Sequence, residues 1–337
     1  MILKYDIYVE IKQKITITRL IPKRQRWEVE YPENEYIEIV KYFETIQNGI
    51  YNEEYIVWID EQSEFIRKLN EFLINEYMIS KYDSKEFQND YSHRQIEVFD
   101  AWNLNPCHPY EYQKKLEKSV VAVIGAGGVG TAITNSLISC GVGKVILIDG
   151  DTIEEGNLAR QFLYRKDDIG HKKVEVLSDR LNKRGLGKVI PIDEYVNLRN
   201  INEIIECTSV RIDLLTGIPS PNSEFTIHLY KEILKNGVPI CSLGEHDLGP
   251  IFTSVDDVDY FIKKTSDRFE LQRLHNKKRN RQFVIDRHPS YLPEIEMVAG
   301  MCTDEIIRYL TGYSITNLLH ACYGLDPVER TFKYYML

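Results

Sequence analysis

Hydrophobic positions along the chain change their spacing at about residue 80. Before it, three stretches alternate apolar with polar residues: Tyr5–Ile11, Lys14–Leu20 and Gln25–Tyr31. A period of two predicts strands with one covered face. Glu35–Gln47 carries Ile37, Ile39, Val40, Phe43 and Ile46 on a stripe of helical spacing. Ile56–Ile59, a run of four apolar residues, reads as a short strand. Ser63–Asn75 reads as a helix with Ser63 as its N-cap. Three strands with helices predict a small α+β module over residues 1–80.

After a mostly polar linker at 81–90 the apolar runs become short and continuous. Val120–Ile124, Val145–Ile148, Ile212–Thr216 and Val238–Leu243 read as buried strands. Helices are expected from the glycine turn to Gly141, over Thr226–Lys235, and over Met297–Leu310 with an end near Gly312. Buried strands alternating with helices predict an α/β fold with a Rossmann-like, mainly parallel sheet, and ligands at the strand C-termini. The second domain is therefore placed at 91–337. No run of about 18 apolar residues is present, so no transmembrane helix is expected. The first residues, MILKYDIYVEIKQK, lack a signal-peptide core.

One βαβ unit carries candidate chemistry. The strand Val120–Ile124 runs into GAGGVG, and Val145–Ile148 runs into Asp149-Gly150-Asp151. Gly125 permits the sharp strand-to-helix turn, Gly127 and Gly128 let backbone N–H groups approach phosphate, and Gly130 lets helix and strand pack closely. Unpaired N–H groups at the helix start complete an anion site. Asp149 stands 24 positions after Gly125, near the spacing at which an acid holds a ribose. A dehydrogenase needs little more. Here Asn157, Arg160, Gln161 and Lys173 follow, and fixed cations are what a reacting phosphate chain requires.

These motifs together resemble the adenylating enzymes of the ubiquitin-activating (ThiF/MoeB-like) type, which include the activators of thiamin and molybdopterin sulfur carriers. The resemblance is carried by GAGGVG, the Asp149/Asp151 pair, Asn157-Leu158-Ala159-Arg160-Gln161, and Asp168-Ile169-Gly170 followed by Lys173. It implies ATP with Mg²⁺, Asp149 on the ribose, and Asn157, Arg160, Gln161 and Lys173 around the triphosphate. Asn197 and Leu198 fall where the family contacts adenine. Tyr91-Ser92-His93-Arg94-Gln95 resembles the segment whose arginine reaches the other subunit's ATP, which implies a homodimer with Arg94 acting in trans. The first 80 residues resemble the winged-helix-like peptide clamp of the family's peptide-modifying members, those of microcin C and pantocin A type. That implies a ribosomally made precursor peptide as partner, its leader added as a strand.

Composition narrows the partners. The net charge is −9, from 42 basic and 51 acidic residues, which disfavours nucleic acid. Lys263–His288 runs the other way, with nine basic and three acidic side chains. It occupies the family's crossover loop, at about 261–290, and suits an acidic substrate. Six cysteines without a CxxC pair fit reduced thiols in the cytoplasm and no structural zinc. Ser220 aligns with the family's magnesium-binding Asp, so no metal ligand is assigned; Asp149, Asp151, Glu245 and Asp247 are the carboxylates available. Glu245, His246 and His288 are candidates for proton transfer. Three activities are expected in order: activation of glutamate side-chain carboxylates for condensation within a peptide antibiotic precursor; adenylylation that leaves a nucleotide on the peptide; and leader binding without catalysis.

Overall fold

The computed structural model describes residues 1–4, 6–20, 24–50, 52–80, 90–102, 108–207, 210–218, 221, 223–244, 247–265, 290–319, 321–326, 329 and 331–336. The chain divides into two compact units, Met1–Lys114 and Lys115–Leu337.

In the first unit, β2 (Ile7–Ile11), β3 (Ile15–Arg19) and β4 (Gln25–Val29) form an antiparallel sheet in that order. Ile15 and Ile17 of the central strand are fully buried. A short ribbon pairs β1 (Ile2–Leu3) with β5 (Ile79–Ser80). Helix α1 (Tyr36–Asn48) buries Ile39, Tyr42, Phe43 and Ile46, the i, i+3, i+4, i+7 stripe of a half-covered helix. Helix α3 (Glu64–Asn75) starts where expected: the Ser63 hydroxyl accepts a hydrogen bond from the Ile66 amide at 3.2 Å. Three strands backed by helices make the small α+β module anticipated from the spacing. Ile56–Ile59 is a correction. It lies inside helix α2 (Asn52–Asp60), with Ile56 and Val57 exposed and Tyr55 turned into the core. A four-residue apolar run carries no periodicity of its own; here the inward-facing Tyr55 sets the helix.

Tyr55 and Tyr42 end on one acceptor. The buried Asn70 Oδ1 takes both hydroxyls, at 2.6 and 2.9 Å. Helices α4 (His93–Trp102) and α5 (Pro109–Lys118) follow.

The second unit is built on an eight-stranded sheet of order β13-β12-β11-β10-β9-β6-β7-β8. Strands β10 (Ile240–Leu243), β9 (Leu214–Thr216), β6 (Val120–Ile124), β7 (Lys144–Ile148) and β8 (Lys188–Ile192) are parallel. Their apolar runs are continuous because both faces of a parallel sheet are covered. Strands β11 (Asp247–Phe252), β12 (Ala321–Asp326) and β13 (Thr331–Met336) extend the sheet antiparallel. The chain leaves β6 toward β7 and β8, then returns on its other side to β9. The end of β6 is therefore the switch point, where ligands of such sheets bind. Helix α6 (Gly128–Ser139) follows β6, α7 (Lys173–Asn182) precedes β8, α8 (Ile201–Cys207) follows it, and α9 (Glu224–Lys235) joins β9 to β10. Helix α10 (Leu292–Thr311) packs on α6 and ends at Gly312 with φ +71°. Among the described residues no helix is long and apolar enough to cross a membrane.

Replacing Asn70 with Ala orphans two buried hydroxyls at about 1–3 kcal/mol each. Chemical denaturation should show the variant about 2–6 kcal/mol less stable; an unchanged midpoint would contradict the shared acceptor.

Candidate functional site

The site is assembled where β6 and β7 end side by side. Gly125 adopts φ +95°, a left-handed conformation that favours glycine, and its amide donates to Ile148 O at 2.7 Å. Gly130 is obligatory for packing, since a Cβ there would lie 1.8 Å from Gly125 O. A Cβ on Gly125 would meet nothing within 4 Å, and one on Gly127 only the Gln161 amide nitrogen at 4.0 Å. Gly128 departs from expectation, since a Cβ there would lie 2.5 Å from Ile295 Cδ1, so it is a packing glycine. Gly125 and Gly127 present bare backbone to open space at the N-terminus of a 12-residue helix with Gly127 as N-cap. That is a cradle for an anion.

Asp149 binds the two turns together. Its Oδ2 accepts from the Ala126 amide at 2.5 Å, and its Oδ1 from the Asp151 amide at 2.7 Å. Each oxygen keeps a second lone pair for a ligand hydroxyl.

Asp151 faces Lys173, which is 5% exposed and donates from Nζ to Asp151 Oδ2 at 2.8 Å. The Lys173 amide also donates to Asp151 O at 3.1 Å, so the start of α7 is pinned to this turn. Tyr195 donates its hydroxyl to the other oxygen, Oδ1, at 2.7 Å. The Lys173 hydrogen bond first, then that of Tyr195, holds the Asp151 carboxyl below its ordinary range. The same bond pushes the Tyr195 phenol up.

The remaining expected residues divide. Asn157 is buried and caps its own turn, its Oδ1 accepting from the Glu154 amide at 2.9 Å. Gln161 is 2% exposed, and its Oε1 is buried without a hydrogen-bond partner among the described residues. A buried amide oxygen left unpaired is costly, and this one belongs to the side chain beside Gly127. Arg160 is partly exposed, with Nη1 donating to Gly156 O at 2.8 Å. Asn197 holds a turn: its Oδ1 accepts from the Arg199 amide at 2.9 Å, and its Nδ2 donates to Tyr195 O at 3.1 Å. Leu198 is exposed. Arg94 lies on α4 in the first unit, highly exposed, 3.3 Å from Glu97. Glu245, His246, His288, Ser220 and most of the basic loop lie outside the described residues. Among the described residues no group of three or more His, Cys, Asp or Glu converges as a metal site. Bare backbone at Gly127 and a buried ammonium at Lys173 fit a polyphosphate, whose oxygens accept hydrogen bonds; the unpaired Gln161 Oε1 is itself an acceptor and calls for a donor instead.

Sequence reasoning passed over Tyr195 and the partner role of Asp151. Tyr195 stands in a polar stretch without a periodic signal, so nothing in the sequence marks it.

Comparison with known proteins agrees. The ThiF family is matched over residues 94–336. The sulfur carrier protein ThiS adenylyltransferase of Bacillus subtilis is 31% identical over 130 residues, 38% of this chain and 37% of its own. The adenylyltransferase and sulfurtransferase MOCS3 of Arabidopsis thaliana is 34% identical over 142 residues, 42% of this chain and 30% of its own. The chain thus spans less than half the length of these curated relatives. Among solved structures, Escherichia coli MccB with ATP superposes with a TM-score of 0.73 at 20% identity, over 99% of this chain and 96% of that one. PaaA superposes at 0.70 and 21%, over 99% of both. The microcin C7 biosynthetic enzyme MccB also has a structure with N-formylated MccA. At these identities the likeness is one of fold.

The Lys173–Asp151 pair makes a pH prediction. A depressed carboxyl contributes stability above its unfolded value near 3.9 and loses it as pH falls through the lower folded value. An NMR titration should place Asp151 below 3.8, and Lys173→Met should move it up. An unmoved midpoint would mean the ammonium sits elsewhere.

Proposed function

The chain belongs to the ThiF family, and on that premise we propose that it uses ATP to activate a carboxyl group on a ribosomally made precursor peptide. The observation that carries this reading is the buried Lys173 ammonium, aimed by Asp151, beside a glycine turn whose backbone faces open space. A carboxylate is a poor electrophile because oxide cannot leave. Its oxygen attacks the α-phosphorus of ATP, the bond to pyrophosphate breaks, and the acyl group gains AMP as a leaving group. Charge then grows on phosphate oxygens, where Lys173 and Arg160 neutralise it. Asp149 holds the ribose, the Gly127 turn the phosphates, and Gln161 supplies a buried amide. Magnesium, when bound, neutralises further phosphate charge; among the described residues the half-exposed Asp151 is a carboxylate open to it.

The N-terminal unit supports a peptide as substrate. Its antiparallel sheet has two edges, β2 and β4, and an edge strand accepts an extended chain by backbone pairing. Binding the leader there raises the local concentration of the core peptide, so even a weak contact at the reacting group suffices. The acidic residues activated are glutamate side chains, and the activated acyl group condenses with loss of water, as in pantocin A-type chemistry. The basic Lys263–His288 segment suits that acidic core. The active species is a homodimer in which Arg94 serves the other protomer's nucleotide, and six cysteines without a CxxC pair support a cytoplasmic setting.

Mass spectrometry of the peptide product after incubation with ATP should show loss of water. A retained nucleotide mass would instead make the protein a peptide adenylyltransferase, and no ATP use would make it a leader-binding scaffold. Removing one preorganised charge contact costs roughly 10²–10³ in rate. Arg160→Ala and Lys173→Ala should each fall that far in pyrophosphate release while leader affinity holds; lost leader affinity would displace the assigned site. Mixed Arg94→Ala and Lys173→Ala protomers should regain activity, because one of the two sites in each heterodimer keeps both residues. Absence of recovery would show that Arg94 does not act across the dimer.

A further inference from the structure

Tyr195 stands out from the rest of the site. It is 66% exposed, yet three anchors fix it. Its hydroxyl is on Asp151 Oδ1 at 2.7 Å. Its carbonyl accepts from two side-chain amides, Asn197 Nδ2 at 3.1 Å and Asn200 Nδ2 at 2.9 Å. Its ring lies against Gly150, where a Cβ would come within 2.6 Å of Tyr195 Cδ2. Gly150 is therefore glycine because this ring occupies the space beside it. An exposed aromatic side chain ordinarily samples several rotamers; this one is held at both ends.

The neighbours define what the held ring can serve. Asp149, the acid placed for the ribose, precedes Gly150 directly. Leu198 is exposed three positions beyond the tyrosine. Asn197 is consumed by the turn that holds residues 195–200, so its amide is committed to backbone. The groups presented outward beside the ribose acid are then an aromatic ring and an aliphatic side chain, a surface suited to a purine face. The hydroxyl end of the same ring touches the carboxylate that holds Lys173.

We infer that Tyr195 is a nucleotide-positioning residue: its ring packs against the base of ATP, and its hydroxyl keeps Asp151 oriented toward Lys173. This rests on the reading of the site as an ATP site and adds to it, beside the ribose acid Asp149, a residue that reads the base of the nucleoside. The two ends of the side chain separate by substitution. Tyr195→Phe keeps the ring and drops the hydroxyl; Tyr195→Ala drops both.

Isothermal titration of the full-length protein with ATP and with inorganic tripolyphosphate tests it. Tyr195→Ala should weaken ATP about 5-fold or more, the loss expected for one base–aromatic stack. Tripolyphosphate, which has no base, should weaken by a clearly smaller factor. Tyr195→Phe should hold ATP within about 2-fold of wild type while kcat for pyrophosphate release falls, since the aim of Lys173 is what it disturbs. Equal ATP affinity in wild type and Tyr195→Ala overturns the inference, as does an equal loss for both ligands. A wild-type protein that binds no ATP overturns the functional reading itself, and the inference with it.

Discussion

The two hydrogen bonds accepted by Asp149 hold the candidate site together. They join the glycine turn after β6 to the acidic turn after β7, at 2.5 and 2.7 Å. Parallel strands fix only the sheet; what emerges from their ends is loop, and loops drift unless tied. Here one carboxylate ties Ala126 to Asp151. Everything downstream inherits that tie. The Asp151 carbonyl takes the Lys173 amide, so α7 starts against the acidic turn. The Asp151 side chain takes the Lys173 ammonium and the Tyr195 hydroxyl. A ligand hydroxyl on Asp149 would thus meet an acid already oriented by backbone donors, which is the preorganisation that keeps binding free energy from being lost to ordering.

Legibility in the sequence followed locality. The βαβ unit could be read because each of its demands is met within a few residues. Gly130 must be glycine for the carbonyl of Gly125 five positions away, and the continuous apolar runs reflect strands buried on both faces. The Ser63 cap is local in the same way, and so is most of the α1 stripe, although Ile37 of that stripe is exposed and Tyr42 is buried instead. Tyr195 was not legible, because its role depends on Asp151, 44 positions distant, and its own stretch has no hydrophobic period. The helix over Ile56–Ile59 was read as a strand for a related reason: its inward contact, the Tyr55–Asn70 hydrogen bond, spans 15 positions and sequence spacing does not display it. The last two strands, β12 and β13, were missed as well. The outer strand β13 is exposed along nearly all its length, so no buried face marks it.

Glycines at the site carry two different meanings, and the structure separates them. Gly125 is required by its backbone angle, and the space around it is empty. Gly150 has no such angle; it is required by the ring of Tyr195. In the sequence both look like members of one nucleotide signature. Physically the first opens room for a ligand, and the second is already filled by the protein. An alanine at Gly150 would displace the Tyr195 ring, so on the proposed reading it would perturb the base end of the site rather than block phosphate.

The buried ammonium of Lys173 sets the final constraint. Taking a cation to 5% exposure is unfavourable unless an anion accompanies it. Asp151 is that anion, but it is only half-buried, with 47% of its side chain exposed. A fully buried acid would hold Lys173 in a closed pair that no ligand could enter. A fully solvated one would leave the cation without a fixed direction. The intermediate arrangement keeps the ammonium aimed while water and ligand can still reach its partner. A polyphosphate arriving at the Gly127 turn competes with one partly screened carboxylate rather than with a sealed ion pair. Tyr195, by occupying the second oxygen of that carboxylate, keeps it from rotating away as the competition proceeds. On the proposed ATP-site reading, this geometry would favour exchange of Lys173 between Asp151 and phosphate over permanent capture by either.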